Sequence, residues 1–443
     1  MITNKEILVI CVSVWLFIAY FYILRTPFDH RTHDMWGHVF YTQYIVGNKK
    51  LPKPYEQPVL GGQTIQPPLY YLICSFVKPA LIHNKSEDHI NAVRYLSIFF
   101  GALSLLVIGI FLNAVSKNQY AKLVSLLFIE TTPKFAFVFS TYNNDSLNTF
   151  LWITVTTLSY FLYINFSVRK AIILFMFITA ALYTKGTSIL FIIPFIVTYL
   201  LIAVKRIPPG NNFRLENKYF LLPFLCSIIA FSPWLYYRNY KNCQRFFPTS
   251  LERDIAKPLS KTNFKNLLGI ILRDNNLLDH KFDFSHEWDK PWALIQWDLI
   301  PPRETKRYDY LGLMFVTSVI GEFVLTSPSV RIIWILFILH LFVYVYSLLM
   351  AFKSKINIPA MLIILTAMVI QLGTLLPFAA DLPQKGLYDF RYYAWLWVCW
   401  ALLQLNSITI TKDKYKEIIY GVYIAGVIFN IYTLLTIKGG FYW

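Results

Sequence analysis

Apolar residues in this chain gather in runs of about 20, the length a helix needs to cross a hydrocarbon layer, and short polar segments separate the runs. The first run extends from about Ile7 to Leu24 behind Lys5, and further runs begin near Tyr95, Tyr120, Leu147, Ala171, Ser188, Tyr219, Ile332, Ile358, Tyr392 and Ile418. The pattern predicts an all-α polytopic membrane protein with about 11 transmembrane helices. No small-residue cleavage site follows the first run, so it reads as a signal anchor that starts in the cytoplasm. Two shorter apolar stretches, near 67–82 and 310–325, are predicted to lie in the outer interface. One opens with Pro67 and Pro68, and the other contains Gly321 and Glu322, which are costly in mid-bilayer.

Charge fixes the orientation of this pattern. With the N-terminus inside, the cytoplasmic loops hold Lys117, Arg169 and Lys170, then Lys205, Arg206, Arg214 and Lys218, then Lys353 and Lys355, then Lys412, Lys414 and Lys416. That distribution obeys the positive-inside rule. The chain then forms one multi-pass domain over 1–443 with two long outer segments. Residues 25–91 form a first outer loop with interfacial helices, and 238–308 form a larger loop able to act as a lid.

Composition narrows the class. Hydrophobic residues are 56% of the chain and charged residues 15%, too apolar a balance for a soluble domain. Lys and Arg number 41 against 24 acids, but they are scattered in short loops. This distribution argues against nucleic acid and suits membrane lipids with anionic headgroups and a phosphate-bearing lipid substrate. None of the five cysteines belongs to a CxxC pair, so neither a disulfide framework nor a zinc ribbon is indicated.

Candidate chemistry concentrates just beyond the first span, where Asp29, His30, His33, Asp34 and His38 follow one another. Asp34 and His38 are four apart. An Asp near the cap of a short interfacial helix would carry His38, Tyr41 and Tyr44 on neighbouring faces. A carboxylate there could take the proton of an attacking hydroxyl. The same residues also read as a capped amphipathic helix, or as a zinc or manganese site from Asp34, His33 and His38, although the spacing fits no defined ligand motif.

Asp34, His38, Leu51, Pro52, Gln66, Pro67, Pro68, Leu69, Tyr70 and Tyr71 stand in the order and spacing of a known pattern. That string resembles the first outer loop of GT-C superfamily glycosyltransferases, including protein O-mannosyltransferase and lipid A aminoarabinose transferase relatives. Many relatives carry a second acid directly after the Asp, where this chain has Met35, so that role is missing or supplied elsewhere, for example by Glu56. Arg94 heading the next span, Asp145 in TYNNDSL, Lys185 in YTKGTS, Arg238 and Asn239 in PWLYYRN, and Arg391 and Tyr392 in FRYYAW are similar to recurring segments of these enzymes. The likeness is dense only over residues 34–71.

The resemblance implies a polyprenyl-phosphate sugar donor, a glycan, lipid or protein acceptor, and an active site on the periplasmic or extracellular side of the plasma membrane. Asp34 would then act as base, with His38 and Asp145 beside it. Gln66, Tyr70, Tyr71, Arg94, Lys185, Arg238, Asn239, Arg391 and Tyr392 would bind substrate. Independently of the likeness, Lys185, Arg238 and Arg391 each lie at a predicted outer helix end, where a cation can hold a departing phosphate or snorkel to headgroups. Arg94 could instead partner Asp88, and Asp145 could be a helix cap. His280, Asp283, His286, Glu287 and Asp289 in the large loop suit a sugar lid or a solvated loop. No nucleotide is implied, since the chain has neither a GxGxxG after a strand nor a P-loop, and the question of a divalent metal stays open. The competing class is a transporter or flippase, which calls for inverted repeats and broken helices with ionisable groups near mid-membrane; the sequence shows neither. A non-catalytic scaffold that has kept the fold is the third reading.

Overall fold

The structure is a computed structural model that describes residues 3–26, 35–54, 63–77, 87–205, 219–244, 246, 318–319, 327–353 and 390–436. The described secondary structure is entirely helical. Helix α1 (Asn4–Arg25) opens with a capping box between Thr3 and Glu6. Two helices too short to cross a membrane follow, α2 (Met35–Asn48) and α3 (Leu69–Val77). Next come α4 (Glu87–Val115), α5 (Gln119–Thr131), α6 (Pro133–Ser140), α7 (Asn144–Ile164), α8 (Val168–Thr184) and α9 (Ile189–Lys205). Helix α10 (Leu222–Pro233) runs through a π-helical stretch, Trp234–Tyr240, into the single turn α11 (Lys241–Cys243). The set closes with α12 (Ser327–Lys353), α13 (Trp397–Ile410) and α14 (Asp413–Leu435).

Every predicted span start falls on or beside a helix except Ile358, which lies outside the described residues. Among the described residues, seven helices are long and apolar enough to cross a membrane by length and composition, and the pair α5 and α6, counted as one bent span, would be an eighth. Helix α8, at 17 residues, is shorter. Of the first apolar stretch, α3 makes nine residues helical, too few to cross a membrane. Of the second, only residues 318–319 are described.

The α5–α6 pair bends by 63°. Pro133 lacks an N–H and its ring obstructs the preceding turn, which breaks the helix. The threonines before it cap the end of α5: Thr131 Oγ1 donates to the Leu127 carbonyl (2.7 Å) and Thr132 Oγ1 to that of Phe128 (2.8 Å). Glu130 and Lys134, both fully buried, flank the break. The sequence offers no such broken helix with ionisable groups to a reader of apolar runs, because Tyr120 to Ser140 looks continuous. On this point the structure corrects the sequence reading.

Packing explains how the helices are ordered. Helices α1, α4, α7, α8 and α10 pack in succession, α12, α13 and α14 pack together, and α5 touches α1, α13 and α14. Trp15 crosses from α1 to donate to the Ile98 carbonyl (3.0 Å). A β-carbon on Gly101 would lie 2.6 Å from the Trp15 ring, so the α1–α4 contact needs glycine there. Inside the bundle, His340 Nε2 meets Asn430 Oδ1 (2.9 Å), and Asn430 Nδ2 donates to Thr131 Oγ1 (3.3 Å), which ties α12 and α14 to the broken helix.

Candidate active site

The polar groups of the first outer loop are organised by α2. His38, Tyr41, Thr42 and Ile45 fall on one helical face and are buried. His38 Nδ1 lies 2.9 Å from the Tyr71 hydroxyl, Tyr41 stacks on Tyr71 at 3.9 Å between centroids, and the Tyr41 hydroxyl donates to the Gln66 carbonyl (3.2 Å). On α3, Tyr70 and Tyr71 are fully buried. The loop motif therefore folds into an aromatic box, with the Gln66 backbone as its anchor point. Burial raises the Tyr41, Tyr70 and Tyr142 hydroxyls above the usual phenol range, and the nearby Arg238 charge partly offsets this at Tyr41. It also pushes the Cys74 thiol up to about 12.

The turn between α6 and α7 adds a second layer. The Tyr142 hydroxyl donates to Thr42 Oγ1 (2.7 Å) and lies 3.4 Å from His89 Nε2. Asn143 caps α7 by accepting from the Asp145 amide (2.9 Å). The cap is thus Asn143, which leaves the Asp145 side chain available for another purpose. It pairs with Lys185, with 4% of the Asp145 side chain and 7% of the Lys185 side chain exposed. Lys185 is the C-cap of α8, where the helix dipole favours a cation. One turn further in, Ser188 Oγ donates to Asn148 Oδ1 (2.7 Å) and accepts from Trp152 Nε1 (3.1 Å).

Arg94 and Arg238 are engaged by backbone. Arg94 is fully buried; it donates to the Ser140 carbonyl (2.8 Å) and to the carbonyl (3.3 Å) and hydroxyl (2.5 Å) of Thr26. It thereby ties α1, α4 and the end of α6. The Asp88 side chain, its other expected partner, lies outside the described residues. Arg238 donates to the carbonyls of Thr64 and Pro52, the latter at 2.9 Å. Asn239 is buried, and its Nδ2 donates to the Phe246 carbonyl (2.9 Å).

Asp29, His30, His33, Asp34 and Glu56 lie outside the described residues, as does the cluster from His280 to Asp289 in the large loop. The backbones of Arg391 and Tyr392 belong to the 3-10 helix Phe390–Leu396, and their side chains fall outside the description. The structure therefore brings Asp145 to Lys185, His38 to Tyr71, and Arg238 to the first loop, while Arg94 stands apart as a tie between helices. No group of three metal-binding side chains converges among the described residues. The sequence reading passed over Asn148 and Ser188, although each sits three residues after a member of the ion pair and so one helical turn deeper.

Residues 66–237 match the family described as dolichyl-phosphate-mannose-protein mannosyltransferase. No curated protein matches the chain in sequence. Two solved structures from Archaeoglobus fulgidus share its fold. One is the archaeal oligosaccharyltransferase AglB in complex with an inhibitory peptide and a dolichol-phosphate, with a TM-score of 0.54, 13% identity, and coverage of 99% of this chain and 56% of that one. The other is the oligosaccharyltransferase in its apo form, with a TM-score of 0.51, 12% identity, and coverage of 98% and 56%. The chain thus spans little more than half the length of these structures.

Proposed function

We propose, from the premise that this chain has the GT-C glycosyltransferase fold, that it moves a sugar from a polyprenyl-phosphate carrier to a hydroxyl-bearing acceptor at the outer face of the membrane. The observation that carries this reading is the juxtaposition of the first outer loop, folded as an aromatic box, with the buried Asp145–Lys185 pair and with Arg238. The family matched over 66–237 is described by a lipid-phosphate-linked sugar, and one structural neighbour holds a dolichol-phosphate. Both support a lipid-phosphate donor here.

In this reading Asp34, which directly precedes α2 in the chain, takes the proton of the acceptor hydroxyl. The hydroxyl oxygen attacks the anomeric carbon in line as the bond to the phosphate oxygen breaks, which inverts that carbon. The carrier leaves as polyprenyl phosphate, and the developing charge is met by Lys185 and Arg391. Asp145 holds Lys185 in place, and His38, four residues after Asp34 in the chain, has its ring beside the Tyr71 hydroxyl. A divalent metal, where one is used, would be held by Asp34, His33 and His38. The positive-inside pattern assigns the site to the periplasmic or extracellular side.

Transfer of labelled sugar in membranes holding equal amounts of wild type or Asp34→Asn tests the base. Loss of about 10²-fold or more is expected, and equal rates would remove Asp34 from the mechanism. One observation favours a transporter instead: the 63° break between α5 and α6 with Glu130 and Lys134 beside it. Movement of a labelled lipid-linked sugar between leaflets, without any transfer to acceptors, would decide for that reading.

A further inference from the structure

We infer that Arg238 is a positioning residue that latches the first outer loop to the end of α10 and does not hold the donor phosphate; this refines the proposed glycosyl transfer and rests on it for its catalytic consequence. The sequence places Arg238 at an outer helix end among apolar neighbours, the setting of a phosphate ligand or of a snorkelling side chain. Its described hydrogen bonds to the loop instead end on carbonyls in two separate stretches, 51–54 and 63–66. Nη2 donates to both Pro52 O (2.9 Å) and Thr64 O. Such bonds from a guanidinium are charge-assisted.

Local structure directs the side chain there. Helix α10 ends at Pro233, and the chain continues as a π-helix over Trp234–Tyr240, which places an extra residue in the turn. The Arg238 guanidinium then lies 4.8 Å over the Trp234 ring, and Nη1 donates to Asn239 Oδ1 (3.2 Å). Trp234 and Asn239 are buried, so the arginine is held from its own segment as well.

The segment it grips is held from other sides too. The Tyr41 hydroxyl donates to Gln66 O, the Tyr71 hydroxyl reaches Gln63 Oε1 at 3.5 Å, and the Gln66 amide closes the turn onto Gln63 O (2.9 Å). The charge of Arg238 is felt at Tyr41. Three elements, α2, α3 and the π-helix, thus converge on the turn that leads into Pro67 and Pro68. The arginine is the member that comes from the far end of the chain segment, 174 residues from Thr64. Lysine offers a point charge on a flexible stem and cannot reproduce the planar fork.

The test uses the full chain in membranes. In a Cys243→Ser background, Thr64→Cys and Arg238→Cys are combined and bridged by a bifunctional methanethiosulfonate reagent of the arginine's length. Before bridging, kcat should fall by about 10²-fold, as expected when positioning is lost, with donor KM changed less than threefold. Bridging should recover at least tenfold of the loss. A bridge that forms, by mass, but restores nothing, together with a donor KM raised more than tenfold, would overturn the latch and return Arg238 to the phosphate. Amide exchange decides independently of activity: Arg238→Lys should speed exchange at Gln66 by roughly ten- to a hundredfold. Unchanged exchange would also refute the latch. Should the wild type transfer no sugar, the exchange result still stands or falls alone, so the latch and the enzyme reading fail separately.

Discussion

Asp145 and Glu130 are both buried carboxyls only a short distance apart in sequence, and the protein treats them in opposite ways. Asp145 sits in the first turn of α7, its backbone amide taken by Asn143 and its side chain by Lys185, with the Asn148–Ser188–Trp152 bonds one turn below. Glu130 sits at the last turn of α5 beside a break, fully buried, with no hydrogen-bond partner for either oxygen. A buried acid beside such a break is costly to ionise without a partner. A buried charge with an opposite charge beside it can be kept. The contrast separates a buried acid held by a cation from one whose oxygens have no hydrogen-bond partner.

The largest effect should come from breaking the Asp145–Lys185 pair. Lys185→Met leaves the Asp145 carboxylate buried without its cation and should cost about 3–5 kcal/mol in reversible unfolding. The double variant Asp145→Asn with Lys185→Met should recover much of that loss, and a double as unstable as the single would show that the pair is not what holds the two helices. A smaller loss, about 1–3 kcal/mol, is expected for Ser188→Ala, which strands Asn148 Oδ1 and Trp152 Nε1. Thermal unfolding in detergent reads both. Glu130→Gln should be the mildest, within about 1 kcal/mol of wild type and tending to stabilise. A loss beyond about 2 kcal/mol would mean that Glu130 has a partner and is held much as Asp145 is.

Much of the fold was legible because lipid-facing helices must be both long and apolar. Runs such as Ile7–Leu24 or the one from Tyr95 therefore announce themselves, and the prolines before Leu69 mark a segment too short to cross. The break at Pro133 was hidden because apolar runs carry no information on direction, and Thr131 and Thr132 repair the carbonyls that would otherwise betray it. Within the site, Asp145 and Lys185 stood out as charges flanked by apolar residues. Their pairing could not be read, since it joins residues 40 apart on neighbouring helices. Arg94 and Arg238 show the limit most plainly. A guanidinium that binds phosphate and one that ties up carbonyls look alike in sequence, and only the surrounding backbone tells them apart.

The joint between α5 and α6 also bears on how the protein is made. Its amide partner is Asn430, 302 residues beyond Phe128, and its aromatic neighbour across the bundle is Trp397, 4.8 Å from Phe135. At the usual pace of ribosomes, about 5–20 residues per second, that interval is on the order of 15–60 s. During that time the bent segment, with Glu130 and Lys134 in it, must wait in the translocation machinery or against lipid without the neighbours that later enclose it. Insertion of the N-terminal helices therefore leaves a seam that closes only when the distal helices arrive.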